Sequence, residues 1–393
     1  NAATGRTYLR RLPLRLMPDP RRVVVLPFQI AVEPRSLNPT DLPRARRIAE
    51  RVARLPEAGI EDLYANLLKG FHHRHRALER IIDLRIGQLG SILDGHETLS
   101  VTGRRFIAAH FCHEYSPEAA ALFNPSIIRH HRNPDDKEGS VRFILSLRSV
   151  GEGHVSSISF RTGDWDPRAG LTLDAPADLA QVAEAADPQS FFGEDGSVTL
   201  RRPERTPLGE VVIFPMTPAQ RNGIEDLRLT EFIDDDGSRH YYGTYTAYSG
   251  GGITSELFAT ADFETFKLSP LRGSAAVNKG MALFPRRIDG KYAMLSRIDN
   301  EHLYVSMSDD LLCWDGADRL IGPMFPWEFI PVGNCGAPIE IDEGWLVLTH
   351  AVGAMRQYAL GACLLDKRDP RRVLARTAEP IMKPGDDERA GYV

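Results

Sequence analysis

From residue 40 to residue 94 apolar side chains recur at three- and four-residue intervals. Ile48, Val52 and Leu55 make one stripe, and Leu63, Leu67 and Leu68 a second. Leu78, Ile81, Ile82, Ile86 and Leu89 to Leu93 make a third, which stops at Gly95. That spacing predicts amphipathic helices, with Thr40-Asp41 as the first N-cap. Ahead of them lies an Arg/Pro-rich stretch with one strand-like run, Val23 to Ile30. After about residue 120 the rhythm changes to short β runs such as Val141–Leu147, His240–Tyr248 and Gly344–His350. Asp236-Gly237 and Asp289-Gly290 sit between such runs, where hairpins need their turns.

The β region repeats. Related openings occur at Asn124-Pro-Ser-Ile, Gly223-Ile-Glu-Asp-Leu-Arg, Lys279-Gly-Met-Ala-Leu-Phe-Pro, Asn334-Cys-Gly-Ala-Pro-Ile and Gly391-Tyr-Val. Glu225, Gly280, Gly336 and Gly391 are separated by 55, 56 and 55 residues, whereas Asn124 and Glu225 are 101 apart. The longer gap holds an Asp-, Pro- and Ala-rich stretch over 163–210 that reads as an insertion. Units of this length, each holding several short strands, predict propeller blades. The expectation is therefore an all-β five-bladed β-propeller over 121–393 with an extended and α-helical N-terminal region over 1–120. The last blade is cut short, so the natural protein is expected to continue past Val393. Asn1-Ala-Ala-Thr, without an initiator Met or a signal-peptide pattern, reads as a boundary.

Composition narrows the function. The formal net charge of −5 is spread along 393 residues and argues against non-specific nucleic-acid binding. No apolar run approaches the roughly 18–20 residues of a membrane span. Four cysteines, Cys112, Cys313, Cys335 and Cys363, lie far apart without a CxxC pair. That excludes a disulfide framework and a zinc site and makes a reducing cytoplasm the expectation. His72-His73-Arg74-His75 resembles a metal tract but sits in a basic helical junction and is not read as metal-binding. His130-His131, before Asp135-Asp136, is read as solvated. Gly250-Gly251-Gly252 lacks the Lys-Ser/Thr of a phosphate loop and reads as a hairpin turn.

The opening strands are unusually polar for strands around a propeller axis. They offer Asn124 and Ser126, then Glu225, Asp226 and Arg228, then Lys279, then Asn334, while Arg148, Arg297 and His350 end β runs within blades. One or two carboxylates among amides and cations suit a sugar, and an anion held by Lys and Arg.

These stretches resemble glycoside hydrolase family 130, the β-mannoside phosphorylases and related mannosidases. The resemblance runs over roughly 120–393 and rests on Ala121–Ile128, Phe143–Arg148, Gly223–Arg228, Lys279–Arg297, Gly344–His350 and Tyr358–Asp366. The helices resemble the extension of longer members, which implies a homo-oligomer formed through them. The resemblance implies a five-bladed propeller with Asp226 as the catalytic acid, acting in the phosphorylases through a sugar hydroxyl. It places Asn124, Ser126, Arg148, Glu225, Arg228, His302 and Tyr358 against the substrate, and Lys279, Arg297 and His350 against phosphate. Two positions depart from the family pattern. Leu227 stands where Pro often follows the catalytic Asp, and Val332 where many phosphorylases carry a Lys.

An inverting phosphorylase needs one acid and no protein base, because phosphate is already an anionic nucleophile. The basic residues therefore favour phosphorolysis of β-linked mannosides to α-mannose 1-phosphate and a shortened acceptor, a glycosyl transfer in carbohydrate metabolism. Phosphate is then the co-substrate, with no metal or organic cofactor. The alternatives are a β-mannosidase using water and a non-catalytic glycan-binding propeller. Lys279 and Arg297 are expected side by side with no sequence-adjacent carboxylate to neutralise them.

Overall fold

The computed structural model describes residues 9–28, 43–130, 139–187, 190–386 and 388. Thr40-Asp41, Ile30, His131, Asp135-Asp136 and the opening at Gly391 lie outside them. The chain starts with strand β1 (Val24–Pro27) and helices α1 (Arg44–Ala53), α2 (Glu57–Phe71), α3 (Leu78–Gln88) and α4 (Val101–Ala109), followed by β2 (Cys112–Tyr115). The stripes bury in part: Val52, Leu78 and Ile82 close one core with Phe106 and Ile107, whereas Leu55 and Leu63 are exposed and the second helix buries Ile60 and Tyr64 instead. Helix α4 was not expected. Its start is marked by Ser100, whose Oγ accepts from the Gly103 amide at 2.9 Å, a cap readable in the sequence. Among the described residues no helix is long and apolar enough to cross a membrane.

Four antiparallel meanders follow. The first is β3 (Ala121–Arg129), β4 (Val141–Val150), β5 (Ser156–Asp166) and β6 (Gly170–Leu173). The segment read as an insertion holds β7 (Gln181–Val182), β8 (Glu184–Ala185), β9 (Val198–Arg201) and β10 (Val211–Ile213). The second meander is β11 (Gly223–Ile233), β12 (Arg239–Tyr248), β13 (Ile253–Thr260) and β14 (Thr265–Pro270). The third is β15 (Lys279–Leu283), β16 (Tyr292–Arg297), β17 (Leu303–Ser308) and β18 (Asp318–Ile321). The fourth opens on two short strands, β19 (Val332–Asn334) and β20 (Ile339–Ile341), which both pair with β21 (Gly344–Val352), and goes on to β22 (Tyr358–Leu365) and β23 (Val373–Arg376). The insertion is not merely irregular. Strand β9 pairs with β14 and β10 with β5, so it covers edges that would otherwise be open.

The sheets pack face to face in chain order. Ile144, Ile158 and Phe160 of the first meet Leu227, Leu229 and Phe258 of the second. Phe232 and Leu257 meet Met281, Leu283 and Met294 of the third. Leu295 and Val305 meet Val332, Trp345 and Val347 of the fourth. One interface after another, in place of the single core of a sandwich, explains the regular repeat and leaves the opening strands β3, β11, β15 and β19 neighbouring in series.

The helical unit is pinned to the β region. Arg76 Nε donates to Glu210 Oε2 at 2.9 Å, and Arg80 pairs with Glu184. Beneath them Glu118, fully buried, receives both Arg22 and Arg161, the latter at 2.8 Å to each oxygen.

Candidate active site

Three opening strands break register at matching places. Between Phe123 and Ser126, between Glu225 and Arg228, and between Lys279 and Ala282 the pairing advances three residues on one strand and two on its partner. Each is therefore a one-residue bulge, which bends the strand and re-aims a side chain. The residues there take left-handed backbones: Asn124 at φ 45°, Asp226 at φ 58° and Gly280 at φ 93°. Asn and Asp tolerate that region better than most residues, and at Gly280 the missing Cβ removes the penalty.

The bulges bring Asn124 to Asp226. Asn124 Nδ2 donates to Asp226 Oδ1 at 2.5 Å, and Arg148 Nη1 reaches the same oxygen at 3.4 Å. Arg148 also donates through Nη2 to Glu225 Oε1 at 2.7 Å and through Nε to Ser156 Oγ at 2.9 Å, so it forks two adjacent carboxylates. Burial opposes ionisation of Asp226. The charges of Arg228, Arg148 and Lys279 and the Asn124 bond outweigh it, and the carboxyl is held below the usual carboxylate range.

Lys279 and Arg297 face one another across β15 and β16, as the hairpin spacing implied. A carboxylate distant in sequence does reach Lys279, because Glu225 Oε2 comes from the neighbouring strand to 3.9 Å. Arg297 turns instead to His350, with Nη1 3.3 Å from His350 Nε2. His350 is also not a third cation. Burial and the charges of Arg297 and Arg228 push it down to about 3, and it hydrogen-bonds to the Asn334 backbone. With Arg297 donating to Nε2, the ring proton lies on Nδ1. Gly333 makes this contact possible, since a Cβ there would stand 2.8 Å from His350 Cε1.

Other sequence-assigned residues divide. Tyr358 stacks on His350 with ring centroids 6.4 Å apart. Ser126 Oγ accepts from the Leu229 amide at 2.9 Å and so ties β3 to β11. Arg228 Nη1 donates to the Asp226 carbonyl at 3.2 Å. His302 is held by Asp299, Nδ1 to Oδ2 at 2.6 Å, in a group with Tyr304 that shares no described hydrogen bond with the Asp226 cluster. Leu227 and Val332, the two departures from the family pattern, are buried in the cores beneath the site. Elsewhere His75 bonds Glu114 at 2.7 Å and Gly250–Gly252 form the β12–β13 turn.

Packed antiparallel sheets thus bring their bulged opening strands together around a carboxylate among guanidiniums. Residues 200–393 match the model of glycoside hydrolase family 130, described as beta-1,4-mannooligosaccharide phosphorylase. Over that part, the chain is similar to glycoside hydrolase family 130. It is 35% identical over 190 residues to a beta-1,2-mannobiose phosphorylase of Listeria innocua, covering 46% of this chain and 51% of that protein. It is 41% identical to a 1,2-beta-oligomannan phosphorylase of a Thermoanaerobacter species, covering 47% of this chain and 62% of the relative. A beta-1,4-mannooligosaccharide phosphorylase of Ruminococcus albus is 34% identical, with coverage of 39% and 47%. The matches thus span about half the length of these relatives. Among solved structures, the Listeria innocua beta-1,2-mannobiose phosphorylase in complex with beta-1,2-mannobiose is 24% identical with a TM-score of 0.44, over 71% of this chain and 81% of that one.

Proposed function

We propose that this chain is an inverting phosphorylase of β-linked mannosides built as a five-bladed β-propeller. The four meanders serve as four of its blades. The observation that carries the reading is the charge balance around Asp226. Arg148, Arg228, Lys279 and Arg297 gather near two carboxylates, Glu225 and Asp226, and both carboxylates are already engaged by cations. Both carboxylates of this cluster are bound by cations rather than free to activate water, and the excess positive charge among the described residues suits an anion. Inorganic phosphate meets both conditions.

In the proposed reaction a phosphate oxygen bonds to C1 of the mannosyl unit as the C1–O bond to the acceptor breaks. Asp226 is ionised in the empty site and takes up a proton from dihydrogen phosphate when phosphate and sugar are bound. It gives that proton to a mannosyl hydroxyl, which passes its own to the leaving oxygen. Asn124 and Arg148 hold the carboxylate in place, and Arg297 steadies the incoming anion with His350 behind it. Phosphate carries its own charge, so no metal or organic cofactor is required. The four cysteines are unpaired, which suits a cytoplasmic enzyme. The helices would serve as contacts between copies in a homo-oligomer.

Incubation with β-1,2- and β-1,4-mannobiose, with and without phosphate, tests this. Phosphate-dependent α-mannose 1-phosphate is expected. Free mannose released at one rate in both conditions would mean hydrolysis, and no turnover with retained sugar binding would mean a glycan-binding protein.

A further inference from the structure

The ladder register sets one residue opposite the two positions of each bulge. Leu147 faces Asn124-Pro125, Tyr245 faces Asp226-Leu227 and Ser296 faces Gly280-Met281. Leu147 carries no polar side-chain atom, and Ser296 Oγ is buried without a hydrogen-bond partner. Tyr245 is different. Its hydroxyl donates to Glu256 Oε2 on β13 and accepts from Gln220 Nε2 at 3.1 Å. Gln220 Nε2 also donates to that Glu256 oxygen at 2.6 Å, while its Oε1 accepts from the Met216 and Thr217 amides at 3.0 and 3.3 Å. All three side chains are buried. Just past Gln220 the chain joins the ladder, where the Asn222 amide donates to the Tyr248 carbonyl at 2.9 Å, and it then runs on to Asp226.

The second bulge is seated on the strand that carries Tyr245. Leu227 packs into the same core as Tyr245, and Gly243 leaves it room, since a Cβ there would stand 2.6 Å from Leu227 Cδ1. Asp226, next to it, has a left-handed backbone, which persists in a non-glycine residue only where the surroundings hold it. The fourth sheet shows what the preceding turn needs for its own sake. Met324-Phe325-Pro326-Trp327-Glu328 matches Met216-Thr217-Pro218-Ala219-Gln220 in pattern, and Glu328 Oε2 accepts from the Met324 and Phe325 amides, both at 3.1 Å. There an ion pair with Arg376, at 2.6 Å, closes the anchor, and the chain goes on to β19, which holds no left-handed residue. Before β11 a tyrosine and a carboxyl group stand in place of that ion pair, and the tyrosine is the residue behind Asp226.

We propose that Tyr245 is a positioning residue for Asp226, with Gln220 and Glu256 as the anchors that fix it. This rests on the role given to Asp226 in the proposed reaction and adds the part of the molecule that aims it. Asn124 and Arg148 hold the carboxylate itself. Tyr245 holds, from the facing strand, the backbone that carries it. The three buried residues act on the step in which Asp226 exchanges its proton, where a misplacement of about 1 Å costs on the order of 10²-fold. Binding of sugar and phosphate is left to other side chains.

The test is steady-state kinetics of the full chain on mannobiose and phosphate, with each variant first checked for folding by circular dichroism. Tyr245→Phe keeps the ring in the core and loses the hydroxyl. It should lower kcat by about tenfold or more while KM for each substrate moves by less than about threefold. Glu256→Leu should do the same, and Glu256→Gln, which keeps an acceptor for Tyr245, should lose less; this pair stands in if Tyr245→Phe does not fold. A residue that acts through Asp226 has little left to lose once Asp226 is changed. Tyr245→Phe added to Asp226→Asn should therefore cost less than about twofold more. The proposal is overturned if Tyr245→Phe turns over as wild type does, if KM rises as much as kcat falls, or if the two substitutions multiply in full. Turnover is counted as mannose 1-phosphate plus free mannose. A hydrolase thus overturns the phosphorolytic reading and still tests the positioning, whereas a wild type that releases neither overturns both.

Discussion

Asn124 and Asp226 meet where both of their strands break register, each in a left-handed backbone, with the Asn124 amide 2.5 Å from the Asp226 carboxylate. Conformation and hydrogen bond can be separated at Asn124. Asn124→Gly keeps the backbone and loses the donor, whereas Asn124→Ala also adds about 1–2 kcal/mol of strain. Both should lose turnover, and Asn124→Ala alone should show a clearly lower melting temperature. Because the Asn124 bond is one of the influences that lower Asp226, either variant should move the limb of the pH–rate profile that Asp226 sets upward.

Asp226→Asn leaves the size of the side chain unchanged and removes its ability to take a proton. Turnover on mannobiose with phosphate should fall by roughly 10²–10⁴-fold, the scale of general acid–base catalysis. Mannoside affinity, measured by calorimetry, should change far less. Wild-type turnover in this variant would move the role to Glu225.

His350 gives a pH signature. Its folded value, about 3, lies below that of an exposed histidine, so the unfolded chain takes up the proton first as the pH falls. The stability it contributes is complete above about pH 6.5 and is lost on descent toward the folded value. His350→Gln keeps an acceptor for Arg297 and does not titrate. Its melting temperature should lie below that of wild type at pH 8, and the gap should narrow by pH 5. A gap that stays constant would mean that His350 is protonated alike in both states.

Glu118 is the keystone between the N-terminal segment and the first meander. Glu118→Ala leaves Arg22 and Arg161 buried without their shared carboxylate and should cost about 3–5 kcal/mol, read from the denaturant midpoint. Proteolysis should then cut before Val24 sooner than in wild type.

The sequence was most informative where one local rule decides the outcome. Alternating runs and Asp-Gly turns placed β4, β12 and β21, and the 55-residue period anticipated repeated meanders, because each unit must bury both faces against its neighbours. The Lys279–Arg297 pairing followed from hairpin length alone. It was least informative where several strands act together. Nothing near His350 in the chain announces that burial and two arginines from other sheets keep it neutral. That Glu225 partners Lys279 is visible only when β15 is laid beside β11. That the Ser126 oxygen accepts from the Leu229 amide is visible only when β3 is laid beside β11.

The three bulges make strand length, as well as residue identity, a determinant of activity. Each depends on a single surplus residue, and a deletion there would restore an unbroken ladder without touching the polar letters around it. A homologue could then retain Gly-Ile-Glu-Asp and the arginine, lose one position before Leu229, and turn its carboxylate into the sheet. Gaps in an alignment at these points, more than substitutions, are where inactive descendants of this architecture should be sought.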